Sequence, residues 1–186
     1  MSNTKELMEL WQKACEGDQK AYAELHKNLY PGLFTYSVKI LKDTELADDL
    51  LQDLFIKFWQ NRIKIGSIAY VKAYFYRSAR SIIINYLRSH KILETRKSKM
   101  PVPEMEFSQE EVILFTESDA KLKEQLANAL NKLPARQREM IYMRFYENMD
   151  YMQITDICGI KYQSIVNHIH RGVQTLRKEM SEDLFA

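Results

Sequence analysis

Most segments of the chain carry apolar residues at helical spacing, and few turn residues interrupt them. With only five Gly and four Pro in 186 residues, the pattern predicts an all-α protein. Residues 70–91, YVKAYFYRSARSIIINYLRSHK, contain neither Gly nor Pro and read as one helix of about six turns. On a wheel, Val71, Phe75, Ala79, Ile82 and Tyr86 share one arc, the expected core face. Arg77, Arg80, Arg88 and Lys91 fall opposite, with Tyr70 among them and Tyr74 and Tyr76 at the flanks.

Before this helix the pattern predicts three others. Residues 4–16 place Leu7, Leu10 and Trp11 on one side and stop at Gly17. Asp18 caps a second helix with Tyr22, Leu25 and Leu29 inward. Pro31 and Gly32 are expected to break or kink it, with residues 33–41 continuing. Asp43 or Thr44 caps a third helix running to about Asn61, and residues 61–67 follow as a basic loop. After the long basic helix, residues 95–118 hold Pro101 and Pro103 and read as an extended connector. Its apolar end, residues 112–115, is expected to pack on something.

The last part opens with a helix over about 119–132, with Leu122, Leu126, Ala129 and Leu130 on one side. Pro134 is placed as the first helical residue of the next element, residues 135–146, which presents Met140, Ile141, Met143 and Phe145. Asp150 caps a short helix over 151–158, ended by Gly159, and residues 161–180 form the closing helix. Two helices joined through Cys158-Gly159-Ile160 match a helix-turn-helix. Ile154, Ile157, Ile165, Ile169, Gly172 and Leu176 would face inward, Gly172 permitting close approach of a neighbouring helix. Gln163, Asn167, His170, Arg171, Gln174 and Lys178 form the outward stripe.

Charge sharpens this division. The net charge of +2 conceals segments of opposite sign. Residues 1–99 carry 17 basic and 11 acidic residues, residues 100–120 carry six acids and no base, and residues 121–186 carry ten and eight. A basic part, an acidic connector and a mildly basic part predict two domains on a linker: 1–94, 95–118 and 119–186.

From Arg62 to Lys99 there are ten Lys or Arg and one acid, Glu94. A one-signed stripe interleaved with tyrosines suits single-stranded or opened nucleic acid, whose phosphates attract the charges and whose bases stack. The plainer reading is a solvated face, but such faces usually mix signs. The stripe on the closing helix suits base edges and phosphates in a major groove, where an ordinary surface helix would carry Glu/Lys pairs. Val166, near its edge, either touches a thymine methyl or packs.

The third helix has two faces. Ala47, Leu50, Leu51, Leu54 and Phe58 make a core stripe. Opposite lie Glu45, Asp48, Asp49, Gln52 and Asp53 with Phe55, Ile56 and Trp59. Such an apolar–acidic face serves a protein partner, or else Phe55 and Trp59 are buried under the first helix and the acids are merely solvated.

Several chemistries are not expected. His168 and His170 point about 200° apart on a helix and cannot share a metal. The chain has no Gly-rich phosphate loop, no HExxH and no nucleophile elbow, so no catalytic residue, small-molecule substrate or cofactor is expected. Cys15 and Cys158 form no CxxC and read as reduced thiols of a cytoplasmic protein. No apolar run approaches the ~20 residues of a membrane span, and the N-terminal MSNTKELMEL lacks the apolar core of a signal peptide.

Taken in order, the motifs resemble a bacterial sigma factor of the sigma-70 family, extracytoplasmic-function (ECF) group, over nearly the whole chain. The third helix, ADDLLQDLFIKFW over 47–59, is similar to the family's A-x-D-L-x-Q-x-x-F-x-x-x-W. The resemblance implies that Asp49, Gln52 and Phe55, with Asp48 and Ile56 beside them, bind the clamp helices of core RNA polymerase. Residues 74–88 resemble the promoter-melting and −10-reading segment, with Arg80 and Arg88 in place, Ser81 where Asn is usual and Asn85 where Asp is usual. The implied −10 contacts are Asn61, Arg62, Lys64, Lys72, Tyr76, Arg77, Arg80, Asn85 and Arg88. The loop over 61–67 corresponds to the one that captures a flipped base.

Residues 129–139 match the L-P-x-x-x-R-E entry to the −35-binding domain, with Arg138-Glu139 in place. Its helix-turn-helix pattern continues over 153–172. Gln163, Ser164, Asn167, His168, Arg171 and Lys178 are the implied −35 contacts. Thr155 stands where Ala is usual, Val166 where a base is common and Asn167 where Ser is common, so an atypical −35 preference is expected. The acidic linker resembles the family's connector, which passes near the RNA exit path of polymerase. The implied partners are core RNA polymerase, promoter DNA and an anti-sigma factor, which in the family is frequently membrane-bound; the chain itself is not expected to insert. Two rivals are a polymerase-independent helix-turn-helix regulator, which needs no acidic–apolar face, and a degenerate sigma-like interaction protein.

Overall fold

The computed structural model describes residues 2–89, 102–108 and 120–184. The described chain is helical, with no strand among the described residues, and divides into two compact units. The first contains α1 (Ser2–Cys15), α2 (Gln19–Leu41), α3 (Thr44–Ile65) and α4 (Val71–Ser89).

Trp11 of α1 is the keystone of the first core. It is 1% exposed and meets Phe58 of α3 and Phe75 of α4 edge-on, with ring centres 6.4 and 5.9 Å apart. Its indole N–H donates to Gly66 O at 2.8 Å. Gly66 has φ +66, a left-handed conformation that glycine adopts without a Cβ penalty, and its own N–H closes α3 on Arg62 O. Leu25, Leu33, Tyr36, Leu51 and Ile83 complete the interior.

Helix ends follow the side chains that can cap them. Asp18 Oδ1 accepts from the N–H groups of Lys20 and Ala21, and Asp43 Oδ1 from that of Leu46. The expected break at Pro31 does not occur: α2 runs through it as one helix. Leu29 and Leu33 are buried on either side, so packing holds the turn that proline's missing N–H weakens.

The second unit contains α5 (Ala120–Lys132), α6 (Ala135–Ile141), a π-helical turn (Tyr142–Tyr146), α7 (Tyr151–Cys158) as far as Thr155, and α8 (Tyr162–Leu184). Pro134 caps α6 with extended ψ and is not its first helical residue. Asp150 and Gln153 cap α7 reciprocally: Asp150 Oδ1 accepts from Gln153 N–H at 2.8 Å, and Gln153 Oε1 from Asp150 N–H at 2.9 Å. Gly172 of α8 lies against α6, where an added Cβ would stand 2.6 Å from Ile141 Cδ1. Ile154, Ile157, Ile165 and Ile169 are buried as expected, whereas Phe145 is 43% exposed.

Residues 102–108, within the span read as connector, are extended and belong to this unit. Alternation explains why: Pro103, Met105 and Phe107 are buried while Glu104 and Glu106 face out. Asn131 holds Phe107 by its backbone at both ends, each bond 2.9 Å. Arg138 donates to Met105 O, Asn131 O and Leu133 O. The apolar residues 112–115, and the remainder of the connector, lie outside the described residues.

Candidate nucleic-acid and protein interfaces

On α3 the outward face begins with Asp48, which is half-buried. Its Oδ1 accepts from the Tyr30 hydroxyl and its Oδ2 from Gln52 Nε2 at 2.8 Å. Burial, then the hydrogen bond with Asp48 and the charge on it, push the Tyr30 phenol up to about 12. Asp49, Gln52 and Asp53 are exposed, and Ile56 is 54% exposed. Asp53 pairs with Lys57 at 3.8 Å, both well exposed.

Phe55 corrects the expectation. It is 4% exposed and lies inside the unit, 5.2 Å from Phe75 and 4.5 Å from His26 by ring centres. α3 packs against α1, α2 and α4, and its buried arc is rotated from the expected stripe, with Phe55 inside and Leu50 only half-buried. Beside Phe55 an open groove of about 380 Å³ is lined by Tyr22, His26, Gln52, Ile56 and Trp59. Tyr22 donates to Phe55 O at 2.6 Å and burial raises its pKa, while burial lowers that of His26.

The basic loop is a second correction. α3 continues to Ile65, so Asn61, Arg62 and Lys64 sit on its last turns and the loop itself is residues 66–70. Arg62 lies over the Trp59 ring at 4.0 Å and donates to Trp59 O at 2.7 Å. That stacking and the Gly66 cap extend the helix beyond the expected end. Asn61 and Lys64 are exposed.

On α4, Arg77, Asn85 and Arg88 are exposed. Lys72 is half-buried, its ammonium 5.6 Å from the centre of the Tyr76 ring. Tyr76 is fully buried, its ring 5.5 Å from Tyr36 of α2. Arg80 is only 9% exposed. Arg80 is therefore not on the open face where the wheel set it, and Tyr76, set at the flank, lies inside. Ile83, Ile84 and Leu87 are buried while Ile82 and Tyr86 are half-buried, so the core arc is rotated from the expected one. Two apolar residues absent from the sequence-derived set stand at the surface here, Ile63 at 76% and Tyr70 at 36%. An isoleucine isolated among Arg62 and Lys64, and a tyrosine on the charged arc, were the available signals.

On α8, Gln163, Asn167, Arg171 and Lys178 are exposed, as are His170 and Gln174. Gln163 Nε2 donates to Asn167 Oδ1 at 3.1 Å, which links two of these side chains. Ser164 and His168 are half-buried at the edge of the stripe. Burial, then the charges of Arg136 and Arg171, pull the His168 pKa down. Arg136 thereby joins this basic cluster from α6, a neighbour that sequence spacing does not reveal. Arg138, matched in the same motif, is spent on backbone carbonyls inside the unit.

Among the described residues no group of His, Cys, Asp or Glu is arranged to hold a metal ion, and no helix is long and apolar enough to cross a membrane. Both cysteines are free thiols.

Comparison with known proteins matches both units. The family model for sigma-70 region 2 matches residues 25–92, and that for sigma-70 region 4 matches residues 123–176. The ECF RNA polymerase sigma factor SigK of Mycolicibacterium vanbaalenii is 22% identical over 180 residues, 94% of this chain and 89% of that protein. Among solved structures, CnrH in complex with the cytosolic domain of CnrY matches 96% of this chain and 99% of its own, with a TM-score of 0.63 at 18% identity. The sigma factor RpoE of Bartonella quintana, in complex with the anti-sigma factor NepR, matches 87% and 98%, with a TM-score of 0.60 at 19% identity. With both sigma regions present in order on two helical units, the chain belongs to the sigma-70 family of RNA polymerase sigma factors, in its extracytoplasmic-function group.

Proposed function

We propose that this chain is a transcription initiation factor that carries core RNA polymerase to particular promoters and does no covalent chemistry itself. The exposed face of α3, with Asp49, Gln52 and Ile56, docks on core polymerase in the cytoplasm, where that enzyme works. Phe55 supports this face from beneath, and Asp48 orients it. The outward stripe of α8 enters the major groove of the −35 element. Gln163, Asn167 and Arg171 read base edges, while Ser164, His168, Arg136 and Lys178 serve the phosphates at its margins.

The −10 contacts fall on the end of α3 and on α4. Asn61, Arg62, Lys64, Arg77, Asn85 and Arg88 meet phosphates and bases, Tyr70 offers a ring on which an opened base stacks, and Ile63 an apolar surface beside it. Each stacked base is worth about 1–3 kcal/mol. That offsets much of the few kcal/mol needed to unstack a step. Lys72 and Arg80 approach DNA only at their tips, and Tyr76 acts through the core. The acidic connector runs between the two modules, and an anti-sigma factor is the natural antagonist, as RpoE is solved with NepR.

The observation that carries the reading is the stripe of α8: Gln163, Asn167 and Arg171 all stand exposed on the second helix of a helix-turn-helix whose Ile154, Ile157, Ile165 and Ile169 are inside. Run-off transcription with sigma-free core polymerase from the source organism and a pool of its promoter fragments tests it. A discrete transcript, lost with Arg171→Glu plus Asn167→Ala, supports an initiation factor. Core binding with no transcript from any fragment argues for an interaction protein, and DNA binding without core binding for a stand-alone regulator.

A further inference from the structure

Tyr30, Asp48 and Gln52 form a chain of hydrogen bonds that crosses from α2 to the outer face of α3. Tyr30 is held by ring stacking. His26 lies 4.7 Å from it at 21°, and Phe34 lies 5.8 Å from it at 16°. Its hydroxyl donates to Asp48 Oδ1, and Asp48 Oδ2 receives the side-chain amide of Gln52, one helical turn on, at 2.8 Å. An ionised carboxylate only accepts. The group of Gln52 that meets it is therefore the NH₂, and the amide is held one way round. Its carbonyl oxygen is turned from Asp48 and left for a ligand.

We propose that Tyr30 and Asp48 are positioning residues that lock Gln52 with its carbonyl oxygen available. They turn the docking face of α3 into an array of acceptors that fits a partner segment of arginine or lysine donors with an aliphatic anchor. The proposal rests on the docking role given to α3 above. A glutamine left to rotate offers a donor or an acceptor equally. Fixed by Asp48, it adds an acceptor beside the exposed carboxylates of Asp49 and Asp53. The groove next to it, with Ile56 and Trp59 among its walls, receives the anchor. Asp48 thus contributes without touching the partner: both of its oxygens are engaged within the unit.

The test is the dissociation constant of the full-length chain for sigma-free core polymerase, by fluorescence titration at fixed salt. Tyr30→Phe keeps the ring stack and removes only the hydroxyl. It and Asp48→Asn are each expected to weaken binding about five- to tenfold, the net worth of one ordinary hydrogen bond. In a Gln52→Ala background neither should weaken it further. Gln52→Glu added to Asp48→Asn should restore affinity, because the amide introduced at position 48 can donate to the new carboxylate, which presents an oxygen in either orientation. Such rescue is not available to a variant that has only lost its fold. The relay is overturned if Tyr30→Phe costs the same in the Gln52→Ala background, or costs nothing while Gln52→Ala does. If Gln52→Ala and Ile56→Asp both leave affinity unchanged, the docking reading itself fails, and the relay with it.

Discussion

The helix α8 and the pair α3–α4 carry the same kind of residue, and the structure treats them differently. The outward stripe of α8 (Gln163, Asn167, His170, Arg171, Gln174 and Lys178) is exposed throughout, with Ser164 and His168 half-buried at its edge. On α3 and α4, Phe55 and Arg80 are buried although the wheel set them opposite the core stripe, and Tyr76, set at the flank, is fully buried. The cause is the number of neighbours. α8 packs on α6 and α5 along one side, so a single apolar stripe describes it. α3 and α4 sit among three helices, and each flank claims residues that a stripe leaves out. On α4 the buried residues run from Val71 through Tyr76 and Arg80 to Leu87, well beyond one stripe.

Phe55→Ala against Asn167→Ala tests that contrast most severely. Phe55 touches Phe75, His26 and Tyr22, and its removal leaves a cavity. The loss is about 3–5 kcal/mol, read as a lower urea midpoint of the full chain. Asn167→Ala should lie within about 0.5 kcal/mol of wild type. A Phe55→Ala chain as stable as wild type would return Phe55 to the outer face.

Next in size is binding by α8. Arg171→Glu should weaken −35 duplex affinity by about 1–3 kcal/mol and flatten its salt dependence, as expected of a cation facing DNA. Loss of the guanidinium at Arg138 should behave in the opposite way. Arg138→Ala removes a guanidinium that holds Met105 and Leu133 carbonyls, so it lowers the unfolding midpoint. Any loss of DNA affinity should follow from that alone and leave the salt slope unchanged.

A smaller effect probes packing on the one-sided helix. Gly172→Ala places a methyl 2.6 Å from Ile141 Cδ1, the end of a side chain that can shift within a core. About 1 kcal/mol is expected, the low end for overpacking. Ile141→Val removes the clashing methyl, so the double variant should be more stable than the sum of the two singles, by thermal denaturation.

Caps and one-sided packing were legible in the sequence because their causes are local. Asp18, Asp43 and Asp150 each announce a helix start within three residues, and Gly172 announces a close approach by its size alone. What was not legible depends on residues far away in the chain. Trp11 fixes Gly66 from 55 positions away, and Tyr36 covers Tyr76 from another helix. The extension of α3 past Asn61 depends on Arg62 stacking on Trp59, a side-chain choice that periodicity does not register. Asn131 and Arg138 binding residues 105 and 107 is likewise invisible to spacing. The alternation of Met105 and Phe107 with Glu104 and Glu106 was nevertheless present.

The smallest expected effect separates the two units by pH. Burial lowers the His26 pKa from 6.5 in the first unit, and burial with Arg136 and Arg171 lowers that of His168 in the second. For a base whose folded pKa is depressed, the unfolded chain takes up the proton first. Stability is therefore full above 6.5 and falls as pH drops through the folded value. The urea midpoint should decline from pH 7.5 towards pH 5. His26→Phe keeps an aromatic ring against Tyr30 and Phe55 and removes the titration, so it should flatten the part of the decline that belongs to the first unit. His168→Asn should flatten the remainder, and it should also reduce the tightening of −35 binding on acidification, because His168 gains its charge at the edge of the stripe that faces DNA. His26→Phe should leave that tightening intact. If His26→Phe reduced it as well, the two histidines would not report on separate units.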